Sequence, residues 1–121
     1  MGKYKQFTNS IVIMSLNWTK KEFLAYVLLY AAHCNHFETK EEEHYILSLI
    51  DEKTFHRIHT EVVVDSDEEN LNKIQQYLSE NKFNQNEKEV LLREVKNVFF
   101  ADGSVDIIEK KVYGILKKII G

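Results

Sequence analysis

Proline is absent from the 121 residues, and glycine stands only at positions 2, 103, 114 and 121. Without these breakers helices can run long, and turns must be built from polar side chains. One cysteine, Cys34, excludes an intrachain disulfide and fits a reducing compartment. Long apolar runs are also missing. The longest, Phe23–Ala32, has ten residues, well short of the roughly 20 that a bilayer helix needs. Ile11–Met14 is too short for the core of a signal peptide. Gln6 stands where a myristoylation signal needs Ser or Thr. Basic residues are in deficit, 16 Lys and Arg against 19 Asp and Glu, which argues against a broad nucleic-acid footprint. The expectation is one cytoplasmic domain with no transmembrane segment and no nucleic-acid partner.

What is present speaks for helices. Apolar residues make up 44% of the chain, enough at this length for a core without staples. Five capping boxes, in which an N-cap side chain and an acid three residues on satisfy each other's amides, mark helix starts. They are Thr19…Glu22, Thr39…Glu42, Ser66…Glu69, Asn84…Glu87 and Asp106…Glu109. Phe23–Ala32 is apolar nearly all round and reads as a central buried helix. Helical spacing then sets the core stripes: Tyr45, Ile46, Leu49 and Ile50; Leu71, Ile74, Tyr77 and Leu78; Leu91, Val95, Val98 and Phe99. The last stripe is Ile108, Val112, Ile115, Leu116 and Ile119. A short helix is expected around Glu52–His59. Val62-Val63-Val64 reads as a buried connector with strand propensity, Ile11-Val12-Ile13 being its one plausible strand partner. Residues 1–17 are polar and uncapped and read as a flexible extension, leaving 18–121 as the domain. Met14, followed by SLNWTKKEF, is a second candidate for the natural start.

Shifted by 68 residues the chain echoes itself. Glu38 falls on Asp106, Glu41 on Glu109, Tyr45 on Tyr113 and Val27 on Val95. Each half is then a long apolar helix, a polar turn, and an amphipathic helix that opens with acids. Two helical hairpins packed face to face, with their turns close together, are expected.

The segment Ala101-Asp102-Gly103-Ser104-Val105-Asp106-Ile107-Ile108-Glu109, set between two helices and half-copied upstream, resembles the TerB-like family. That family includes the tellurite-resistance protein TerB and a related region of the DjlA co-chaperones. The likeness spans about Trp18 to Ile120. It implies an all-α bundle of about seven helices in two similar halves, a link to chemical stress, and no enzymatic activity. It also implies divalent-metal binding by acidic residues at the turns. The matching positions are Asp102, Asp106 and Glu109 in the second half and Glu38 and Glu41 in the first. Where Asp102-Gly103 stands, the first half has Cys34-Asn35, so one carboxylate is missing there.

Two readings of the turn follow from the residues themselves. In the first, Gly103 permits a positive φ that ends one helix, Asp106 caps the next, and no ion is needed. In the second, Asp106 and Glu109 share one face of a first turn with Asp102 in reach, a carboxylate set suited to Ca²⁺ or Mg²⁺. An EF-hand is excluded, because aligning Gly103 and Glu109 with its loop puts Val98 and Phe100 where oxygen ligands belong. His33, Cys34 and His36, and the pair His56 and His59, lack the four-ligand spacing of a zinc site. The acidic run Asp65–Glu69 and the lysines 110, 111, 117 and 118 read as solvated surface. Trp18, Phe55 and Phe83 are candidates for a surface that docks a protein partner. No nucleophile–base set or phosphate loop is present.

Overall fold

The computed structural model describes residues 16–34 and 38–121. Six helices occupy them: α1 (Lys20–His33), α2 (Lys40–Leu47), α3 (Glu52–Val64), α4 (Asp67–Glu80), α5 (Gln85–Phe100) and α6 (Ile107–Ile120). No strand occurs among the described residues. The bundle is all-α, with six helices there rather than about seven. All five capping boxes form, at Thr19, Thr39, Ser66, Asn84 and Asp106. Helix α3 starts on a simpler cap, the Asp51 side chain accepting from Thr54 N. No helix is long and apolar enough to cross a membrane among the described residues.

Helix α1 is the axis of the bundle and touches each of the other five helices. Its apolar character on every side follows from that position, since no face is left for water. Phe23 and the run Ala25–Ala32 are buried throughout. At about 1.5–3 kcal/mol for each large apolar side chain removed from water, this helix carries much of the hydrophobic drive. Around its first turn the rings of Trp18, Tyr26, Phe23, Tyr77 and Phe83 interlock. Phe23 stacks on Tyr77 at 4.3 Å, and Trp18 lies 4.6 Å from Tyr26. Tyr77 also donates to the Trp18 carbonyl at 3.3 Å.

Several sequence expectations are corrected. Val62–Val64 is neither strand nor connector but the last turn of α3, with Val62 buried and Val63 and Val64 exposed. Tertiary burial of Val62 outweighs the small helix penalty of β-branched residues. Ile11–Ile13 and the rest of the extension up to residue 15 lie outside the described residues. Ile108 and Ile115 are exposed, because α6 faces the core through Glu109, Val112, Leu116 and Ile120 instead. Trp18, Phe55 and Phe83 are not free docking residues. Phe55 is buried and the other two are packed against the core.

Candidate functional site

The α1–α2 and α5–α6 junctions come together at the C-terminal end of α1. The first follows Cys34 and leads to Thr39, the N-cap of α2. The second, Ala101–Asp106, joins α5 to α6. Gly103 has φ +90, the left-handed conformation that glycine adopts without strain. Its N–H donates to the Phe100 carbonyl at 2.9 Å, and Ser104 N donates to Asp102 Oδ1 at 3.1 Å. Asp106 Oδ1 then accepts from Glu109 N at 2.8 Å, while Glu109 Oε1 accepts from Asp106 N at 2.9 Å. On the other turn, Thr39 Oγ1 accepts from Glu42 N and Glu42 Oε1 accepts from Thr39 N at 3.0 Å.

These two boxes bring their glutamates together. Glu42 is 1% exposed and Glu109 4%, and their carboxyl groups are close enough to act on each other's charge. Glu42 Oε2 is buried and accepts no donor. Two ionised carboxylates there would repel in a poorly solvated site. Burial first, then the charge of Glu109 against the pull of the Thr39 amide, raise Glu42 to about 7. Burial likewise raises Glu109, the Asp106 amide pulling against it while the charges of Asp106 and Asp102 add to it. Burial and mutual repulsion therefore favour one retained proton on the Glu42–Glu109 pair near neutral pH.

The surroundings are acidic. Burial, followed by Glu109, Asp106, Glu42 and Asp67, pushes the Cys34 thiol up to about 12. Cys34 is therefore protonated and unsuited to nucleophilic attack.

Of the five sequence-predicted ligands, only part converges. Glu109 sits in the pair, with Asp102 and Asp106 close enough to act on it electrostatically. Glu41 is exposed on the first turn of α2. Glu38 turns to histidines instead, its Oε1 lying 3.3 Å from His33 Nδ1 and 2.7 Å from His59 Nε2. This contact ties the loop before α2 to α1 and α3. His56 faces Glu52 at 3.8 Å, and His36 lies outside the described residues. Among the described residues no group of three or more His, Cys, Asp or Glu is arranged to hold a metal ion.

Sequence reasoning missed Glu42 by one position. The echo aligned at 68 residues pairs Glu41 with Glu109, whereas the caps Thr39 and Asp106 fix an offset one residue shorter. In that register Cys34 matches Ala101 as a helix C-cap, and Asn35, outside the described residues, matches Asp102. The capping-box pattern held this information already. Asp106→Ala should cost about 0.5–2 kcal/mol in urea unfolding without added divalent ions, since it removes a cap.

A comparison of the chain with protein-family models, with curated proteins and with solved structures finds no match in any of the three.

Proposed function

We propose that this chain is a non-enzymatic, TerB-like, stress-associated module of two related helical halves, whose acidic corner exchanges its shared proton for one divalent cation. The observation that carries this reading is Glu42 Oε2, a buried carboxyl oxygen with no donor, set against Glu109. Unsatisfied buried oxygens of this kind are uncommon and cluster at functional sites. Oxygen-only surroundings favour a hard cation, Ca²⁺ or Mg²⁺. Two carboxyl groups make a partial set, so water, with Asp102 and Asp106 at the rim, would complete the shell. Affinity is correspondingly modest.

The test is a thermal melt at pH 7.5 with and without millimolar Ca²⁺ or Mg²⁺. A ligand at ten times its Kd adds about 1.4 kcal/mol to the folded state, a rise of about 5 °C for a domain this size. Glu109→Gln should abolish that rise. An unchanged wild-type Tm across both ions would refute the cation reading.

A second reading is favoured by a separate observation. A cleft of about 570 Å³ runs between the end of α1, the start of α4 and α6, with exposed Val63, Ile108 and Ile115 on its walls. Exposed apolar side chains gathered round a cleft suit a docking surface. In this reading the module binds a protein partner without any ion, and Ile108→Ser would weaken capture of that partner while leaving the melt unchanged.

A further inference from the structure

The chain carries two further surfaces that complement each other. The first is a small apolar cleft of about 260 Å³ between α5 and α6, floored by Phe99, Phe100, Val105 and Tyr113. That is below the roughly 300–1,000 Å³ typical of small-molecule sites, and it suits a single inserted side chain. Phe100 is 58% exposed. Lys96 and Lys110 stand at the mouth, with Lys96 Nζ 5.6 Å from the centre of the Tyr113 ring. Neither lysine is in an ion pair among the described residues. The second surface is the corner between α3 and α4. There Val64, 77% exposed, is followed by the exposed acids Asp67, Glu68 and Glu69. Asp67 accepts from Tyr30, and Glu69 closes the Ser66 capping box, which leaves Glu68 as the acid with no such task.

We propose that the occupant of the cleft is a second copy of this chain, Val64 of one molecule entering the pocket over Phe100 while Glu68 meets Lys96 and Lys110. An apolar knob beside acids fits an apolar socket beside lysines, and both are present on every molecule. A polybasic membrane surface would require more than two lysines on a chain whose net charge is −3. The knob and the socket lie on different faces, so the contact is heterologous and does not close on itself as a twofold dimer does. It builds a ladder of dimers, trimers and longer chains. The contact is small and its charges are exposed, so association is weak and sensitive to salt. This inference is independent of the cation reading of the acidic corner, and its knob borders the larger cleft.

Sedimentation velocity on the full chain, from ten to several hundred micromolar in 20 mM and 500 mM NaCl, tests it. The expected result is a concentration-dependent ladder at low salt that collapses to monomer at high salt. Lys110→Glu and Glu68→Lys should each suppress the ladder alone, and an equimolar mixture of the two should restore it, because every exchanged charge again faces its opposite. Both positions are exposed, and circular dichroism of each variant checks that the fold is kept. Monomer under every condition, a single dimer that persists at high salt, or a mixture that fails to reassociate would each overturn the proposal.

Discussion

Glu109→Gln should make the protein more stable at pH 8, by roughly 1–3 kcal/mol, and flatten its stability between pH 5 and pH 8. Glutamine keeps the oxygen that accepts from Asp106 N, so the capping box survives. Its amide can donate to Glu42 Oε2, the oxygen that lacks a donor. The sign follows from proton linkage. A carboxyl raised above its ordinary 4.5, as Glu42 is to about 7, binds more protons folded than unfolded. Its favourable contribution is complete below pH 4.5 and disappears as pH rises through the folded value. Glu22, Asp51 and Glu87 have the opposite sense. The Thr19 amide and Arg57 lower Glu22, the Thr54 amide lowers Asp51, and Lys20 lowers Glu87, so their contributions disappear as the pH falls below the carboxylate range. Comparing the slopes of variant and wild type by urea unfolding separates the pair from every other titrating group. A variant less stable than wild type at pH 8, with the same slope, would show that no shared proton exists.

Tyr26→Phe should cost about 1–3 kcal/mol, a large loss for the removal of one oxygen atom. The Tyr26 hydroxyl lies 2.7 Å from Asp65 Oδ2 and 2.6 Å from Asn70 Oδ1. A phenol has one proton, so both contacts are satisfied when it donates to Asp65 and Asn70 turns its amide nitrogen toward the phenol. Burial and Asp65 push Tyr26 far above the ordinary phenol range, which keeps that proton in place. Without the hydroxyl, buried Asn70 loses a partner, and Asp65 keeps Lys73 at 2.7 Å. The damage falls on the junction of α3 and α4, which walls one side of the larger cleft. Hydrogen exchange should quicken first at the amides of Asp65–Asn70. A cost below about 0.5 kcal/mol would mean that water replaces the phenol there.

The fold was legible wherever the determinants were local. Each capping box needs only residues three apart, and all five mark real helix starts. Phe23–Ala32 announced the axis because a helix apolar on every side has only one place to go. Ile108 and Ile115 misled because α6 carries two apolar stripes, and periodicity alone does not say which one meets the core. Val62–Val64 misled because strand propensity yields to packing.

The candidate site was half legible. Asp106 and Glu109 stand where the motif put them, but Glu38 found two histidines from distant helices, a nonlocal pairing that spacing could not reveal. Glu42 was visible as a cap and overlooked as a site residue, because the self-alignment followed residue likeness instead of the caps.

A carbon-detected NMR titration of the glutamate side-chain carboxyls reads the shared proton at the groups that hold it. One carboxyl of the Glu42–Glu109 pair should stay protonated until about pH 7, with the other responding to the same step. Two independent midpoints near the ordinary value of 4.5 would contradict it.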